Sequence, residues 1–301
     1  MHDRPAGWRL AAVLSAAVLA ISSSAVLVRG MEAEPLAIAA WRTLGASLLL
    51  FPAWGPAVGR VEGRDRLGVL VAGAALGLHF ATWFMSLQLT TVLRSTLLVC
   101  TTPLWAGMLD VALTGRWPRP RFVVGLGVAV VGVGAMTVAD GAGGTAGEGA
   151  WMGDLLAVFG AVCAAVYLRV SQSVRQRVGA GATMGMVCAT AAALLWAVSL
   201  GRGEVVVGFP PATWGLLLLA VLGPQLVGHQ GFTWAVRWVP AATVALVVLL
   251  EPLGAAVLAA VFLGEVPGAG VWVGGVVAVG GLAIAVRREA GTEDRGSGDG
   301  V

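Results

Sequence analysis

Apolar runs of about 18 to 22 residues recur along this chain of 301 residues, and Arg-bearing connections separate them. One run of that length crosses a hydrocarbon core about 30 Å thick. Ten such runs cover 9–28, 35–54, 67–87, 91–113, 121–139, 152–172, 181–200, 211–230, 241–263 and 269–286. No soluble core needs so many. A lipid-facing segment must satisfy its own backbone hydrogen bonds, so every run is expected to be a helix. The expected fold is an all-α membrane protein with ten transmembrane helices. Abundant Gly and Ala suit close packing of such helices. Spacings such as Gly73–Gly77, Ala255–Ala259 and Gly270–Gly274 are plentiful, but in so Gly-rich a chain each is weak evidence for a particular contact.

The charges orient the chain. It has no Lys, so Arg carries every strongly basic position. With the N-terminus in the cytoplasm, Arg4, Arg9, Arg60, Arg64, Arg66, Arg116, Arg119, Arg121, Arg175, Arg177, Arg237, Arg287, Arg288 and Arg295 all fall on the cytoplasmic side. Only Arg29 and Arg202 lie in opposite-side loops. Excess positive charge marks cytoplasmic loops. The expectation is a multi-pass protein of the cell (inner or plasma) membrane with both termini cytoplasmic. The net charge of +3 is spread over short loops, so nucleic acid is not an expected partner. Cys100, Cys163 and Cys188 fall inside apolar runs without CxxC spacing, so neither a disulfide framework nor a zinc site is expected. The first run leads straight into further spans and reads as a retained helix rather than a cleaved signal. The Gly-rich, charged tail 288–301 is expected to be disordered.

The chain also repeats itself. Residues 86–135 align with 235–284 at a constant offset of 149 without gaps. Pro103-Leu104 with Ala106 recurs as Pro252-Leu253 with Ala255, and Gly115 with Pro118 recurs as Gly264 with Pro267. Val and Ala identities elsewhere count for little in so apolar a chain. Five spans per repeat is an odd number, so the two halves must be inverted in the membrane. Inverted repeats are a common construction of secondary transporters, with the substrate site at the repeat interface near the midplane.

These residues resemble the EamA-type proteins of the drug/metabolite transporter superfamily. The resemblance lies in Pro35 through Arg42, His79 through Trp83, Ser86-Leu87, Thr90-Thr91 and Thr102-Pro103-Leu104. In the second half it lies in Gly153-Asp154-Leu155, Gly228-His229, Trp234 through Arg237, Leu250 through Leu253, and Leu263-Gly264-Glu265. It implies two inverted five-helix EamA repeats, 1–139 and 152–287, joined by a Gly-rich external loop at 140–151 and followed by the tail. It also implies export of small metabolites by alternating access. Arg116, Thr233 and Arg94 depart from the family pattern, the last two in ways that bear on substrate choice.

An ionisable side chain inside a bilayer costs at least about 2.5–3.5 kcal/mol on insertion scales, so each is a functional candidate. Glu251 lies near the middle of the ninth span before Pro252, where a carboxylate beside an opened helix can bind a cationic amine or exchange a proton. An internal polar link is the alternative. Arg42 in the second span can attract a substrate carboxylate or pair to another helix. His79 and His229 occupy nearly equivalent places in the two repeats, and His229 joins Glu251 as a proton-coupling candidate. Trp83 follows His79 by one turn and Thr233 follows His229 likewise, so each pair shares a face. Asp110 is expected to pair with an Arg of the Arg116–Arg121 loop. Arg94 near a span end can snorkel. Ser22, Ser23 and Ser24 are expected to bond mainly within their own helix. Trp8, Trp54, Trp117, Trp151 and Trp238 lie near span ends and read as interfacial anchors.

The expected site is thus His79, Trp83, His229, Thr233, Glu251 and Arg42, with no metal and no cofactor. The expected partners are a small-molecule substrate, the lipid bilayer and protons, with a homodimer left open. An enzyme is not expected, since there is no metal cluster, no Gly-x-Ser-x-Gly setting and no P-loop. The leading reading is a secondary transporter exporting amino acids or related amphipathic compounds. A transporter of a drug-like cation and a non-transporting scaffold or sensor are the alternatives.

Overall fold

A computed structural model of the chain describes residues 5–89, 92–141, 150–263 and 268–286. The expectations placed on the Gly-rich connection, the connection after Leu263 and the tail lie outside these residues, as does the side chain of Arg94. The described residues contain no strand. In order they form α1 (Gly7–Ser22), α2 (Ser24–Arg29), α3 (Pro35–Leu49), α4 (Phe51–Trp54) with a 3-10 stretch Gly55–Arg60, α5 (Gly63–Leu89), α6 (Val92–Val99), α7 (Thr102–Thr114) and α8 (Pro120–Gly141). The second half forms α9 (Ala150–Val174), α10 (Ala180–Gly201), α11 (Pro211–Ala220), a π-helical stretch Val221–His229, α12 (Gln230–Ala235), α13 (Ala241–Val248), α14 (Glu251–Leu263) and α15 (Ala269–Val286).

Among the described residues, five helices are long and apolar enough to cross a membrane: Gly7–Arg29, Gly63–Leu89, Trp151–Val174, Ala180–Gly201 and Pro211–Ala235. Pro35–Leu49 and Phe51–Arg60, bent by 58°, make a sixth if taken together. By length and composition the described residues thus give five or six crossing helices against the ten expected, and two of the expected runs are interrupted. The fourth run breaks at Cys100-Thr101 and the ninth at Leu249-Leu250. The cause is chemical. Pro103 and Pro252 each stand second in the new helix, where a missing N–H is tolerated but the ring blocks continuation from the preceding turn.

The breaks are themselves repeated. Adding 149 to Val92–Val99 and Thr102–Thr114 gives 241–248 and 251–263, the bounds of α13 and α14; α8 and α15 start at 120 and 269, the same offset apart. Packing follows the same symmetry. The third run of each half packs on the first run of the other, as α5 on α9 and as the π-helical stretch with α12 on α1. The broken fourth and ninth runs do likewise, α7 on α9 and α14 on α1. α3 packs on α10, and α8 makes an extensive contact with α15.

The α8–α15 contact is backbone to backbone. A Cβ on Gly125 would lie 2.6 Å from the Gly281 carbonyl, and one on Gly132 would lie 2.6 Å from the Gly274 carbonyl and collide with the Ala278 backbone. Because 125 meets 281 and 132 meets 274, the two helices run antiparallel, as inversion of the repeats demands. Gly73 and Gly77 similarly admit α10, with Val187 O 2.8 Å from a Cβ at Gly73. The site therefore sits among helices held at short range by small residues, with little room to deform around it.

Gly132→Val is expected to destabilise the detergent-purified protein by about 1–3 kcal/mol through overpacking. Gly134, whose Cβ would meet nothing within 4 Å, is expected to accept Ala without loss. Thermal unfolding of both variants checks this; equal melting temperatures would contradict the contact.

Candidate functional site

The site is built around a fully buried guanidinium. Arg42, midway along α3, is 0% exposed. Its Nε–H donates to Gln225 Oε1 at 2.9 Å and its Nη1–H to Ser24 Oγ at 2.8 Å. Its face lies over the Phe80 ring at 4.5 Å, a favourable arrangement for a desolvated cation. Its Nη2 is buried without a partner. All three supports are neutral, so none answers the charge.

Glu251 faces the same cavity. It is the first residue of α14 and is 5% exposed. A carboxylate at a helix N-terminus is stabilised by the unpaired N–H groups there, which makes the break before Pro252 part of the site. Among the described residues its carboxylate makes no hydrogen bond or direct ion pair. Ser22 Oγ holds the adjoining backbone, donating to the Glu251 carbonyl at 3.2 Å and to Val18 O at 2.9 Å. The three serines thus divide: Ser22 bonds across helices as well as within its own, Ser23 bonds within its own, and Ser24 lines the cavity and supports Arg42.

Aromatic rings form the walls. The His79 ring stacks on Trp83 at 5.7 Å and lies 6.3 Å from that of His229. His79 Nδ1 is 3.0 Å from the Gly160 carbonyl, which makes it the protonated nitrogen. Phe80 meets His229 edge-on at 5.1 Å. Trp83 Nε1 and His229 Nδ1 are buried without partners.

Together Ser24, Arg42, His79, Trp83, His229 and Glu251 line a cavity of about 50 Å³. The cavity also lies on the repeat axis. Val99 and Thr102 from one broken run and Val248 and Glu251 from the other line it, and each pair differs by 149. The same offset relates Phe80 to His229 and Trp83 to Phe232.

Five of the six expected residues meet here. Thr233 stands apart: its Oγ1 is 2.6 Å from the Tyr167 hydroxyl, and it does not line the cavity. Three contributors went unread in the sequence: Gln225, Phe80 and Tyr167. Asp110 is also reassigned. Its partner is Arg169 on α9, whose Nε–H donates at 2.6 Å, rather than the Arg116–Arg121 loop. Spatial proximity across helices outweighs proximity in sequence. Among the described residues, no three His, Cys, Asp or Glu converge as metal ligands.

The two ends of the molecule differ. α5, about 40 Å long at 1.5 Å per residue, carries Asp65 at one end and Met85 through Leu89 at the other. Around Asp65 the halves are tied: Arg177 grips it through two N–H groups, at 2.8 Å and 2.5 Å. Buried Arg175 in the same turn donates to the Thr233 and Val178 carbonyls; burial pulls its pKa down to about 10, so it stays charged at neutral pH. At the other end a vestibule of about 710 Å³ opens between Glu32–Leu36, the end of α5 and Arg202–Pro210.

A bundle of helices in two related halves, several of them long and apolar enough to cross a membrane, with a cavity between the halves, places the chain in the class of multi-pass membrane proteins. The model of the EamA-like transporter family matches residues 7–138 and 151–287, and the chain belongs to that family. A solved crystal structure superimposes with a TM-score of 0.73, covering 93% of this chain and 97% of its own, at 21% identity; this likeness concerns the fold. No curated protein matches the sequence significantly.

The Tyr167–Thr233 bond is expected to be structural. Tyr167→Phe and Thr233→Val should each lower stability, with a coupling of about 0.5–1.5 kcal/mol in a double-mutant cycle of thermal unfolding. Additive losses would show that the two hydroxyls do not act on each other.

Proposed function

We propose that the chain is a secondary transporter that exports small metabolites, amino acids or related amphipathic compounds, across the cell membrane by alternating access. In this reading ten spans form two inverted five-helix repeats, with both termini cytoplasmic. One observation carries it: buried Arg42 and Glu251 line one cavity between the repeats, where Val99 with Val248 and Thr102 with Glu251, each pair 149 residues apart, come together. Rocking of the repeats would open it to one side at a time, first to the Arg-rich face and then to the vestibule. Substrate would fill the space between Arg42 and Glu251, with the rings of His79, Trp83 and His229 against its apolar part.

Glu251 is the proposed coupling group, with His229 as the second candidate. A carboxylate that binds either a proton or the substrate's ammonium cannot hold both. Inward proton movement would then exchange for outward substrate. The carboxylate among aromatic rings also favours a second reading, export of a drug-like cation.

The test is untargeted. Cells expressing the protein are compared with cells expressing Glu251→Gln at equal membrane abundance, and the medium is profiled for accumulating metabolites. Wild type should enrich at least one compound, and the variant should lower that export by about tenfold or more, equivalent to about 1.4 kcal/mol. Equal export by both would remove Glu251 from the scheme. No enriched compound in either would remove the export reading.

A further inference from the structure

Arg42 has the geometry of a charge kept in reserve. A buried cation is ordinarily answered by a carboxylate, because an unpaired charge in the interior is strongly unfavourable. Here the answer is withheld. Gln225, 0% exposed, occupies the position from which a carboxylate would reach Nε. Its amide is held from the far side, where Nε2–H donates to Cys188 Sγ at 3.4 Å, so that Oε1 faces Arg42. The backbone presents it through the π-helical stretch Val221–His229, interrupted by Pro224, a kind of irregularity often found at functional sites. Ser24 is the other support, and it too is neutral.

Beside the Glu251 carboxylate and the His229 ring, the cavity side carries two donors without an acceptor. Arg42 Nη2 and Trp83 Nε1 have no acceptor, and both residues line the cavity. One water can satisfy a donor but leaves the charge unanswered. A planar carboxylate can do both, since a guanidinium presents its N–H groups in a fork matched to two oxygens. A phosphate dianion fits less well, because Glu251 shares the cavity.

We infer that Gln225 is a specificity-determining residue: by supporting Arg42 without neutralising it, it reserves the guanidinium for the carboxylate of the transported molecule. This rests on the transporter reading and sharpens it. The substrate must carry a carboxylate, and an amine or amide of the same skeleton is a poor ligand. Replacing the Gln225 amide by the isosteric acid would supply the missing counter-charge from the protein and remove the need for one on the ligand.

The test uses the full chain, purified in detergent, and thermal shift against matched sets: leucine, leucinamide and 3-methylbutylamine, then phenylalanine, phenylalaninamide and phenethylamine. Ligand that binds the folded state raises the melting temperature by mass action. Wild type should be stabilised by at least one acid at about tenfold lower concentration than its amide or amine, about 1.4 kcal/mol of preference. Gln225→Glu should abolish or reverse that preference, while Gln225→Asn, still neutral, should keep it. Acid preference unchanged in Gln225→Glu overturns the inference, as does a wild type that prefers the amides. If no compound stabilises wild type, the carboxylate subsite is overturned, while transport still stands or falls on the metabolite-export comparison. Should Gln225→Glu fail to fold, Arg42→Lys carries the test: a retained acid-over-amide preference overturns the inference, and its loss supports it.

Discussion

The arrangement depends on one cation placed where water cannot reach it. Arg42 is wholly enclosed between α3, the π-helical stretch and α2, and its partners are an amide, a hydroxyl and an aromatic face. A guanidinium so placed destabilises the fold unless something answers it. Among the described residues Glu251 lines the same cavity but makes no ion pair with the guanidinium, and Arg42 Nη2 is left without a partner. A ligand that bridges them would relieve both, which ties the energetics of the fold to occupancy of the site.

The helical breaks follow from the same need. A continuous helix hides its backbone polar groups and presents only side chains. Breaks at Cys100-Thr101 and Leu249-Leu250 instead open a helix N-terminus partway along an apolar run, and Glu251 occupies one of them. The break is tolerable because it faces protein rather than lipid. The repeat places Thr102 at the corresponding point of the other half, so hydroxyl stands there against carboxylate, just as Phe80 stands against His229, and the two halves contribute unequally to the site. Glycine contacts such as Gly132 with Ala278 join α8 of one half to α15 of the other, backbone against backbone.

Much of this was legible in the sequence, for identifiable reasons. The repeat showed through because Pro103-Leu104 and Pro252-Leu253 stand in register, and proline leaves a mark that survives an otherwise interchangeable apolar alphabet. Glu251, Arg42 and the two histidines stood out because polar groups in apolar runs are conspicuous. Gln225 did not, since a neutral amide in such a run carries no charge to notice, and its role depends on Arg42 lying 183 residues away. Arg169 was missed for a different reason: near the end of a run it reads as an interfacial charge, and only the fold brings Asp110 to it. Thr233 was drawn into the site by helical spacing from His229. Its hydroxyl is taken up instead by Tyr167 on α9, a partner 66 residues away that spacing from His229 does not reveal.

Electron paramagnetic distance measurement on spin-labelled pairs, in lipid nanodiscs, tests the central claim most directly. One pair, Gln88 with Val205, spans the vestibule; the other, Arg64 with Gln176, spans the tied end near Asp65 and Arg177. Alternating access about the Arg42–Glu251 cavity predicts two populations at each pair, with the vestibule pair shortening as the other lengthens, and a shift in their ratio when Glu251→Gln mimics the protonated carboxylate. A single distance at both pairs, unchanged by that substitution, would contradict it.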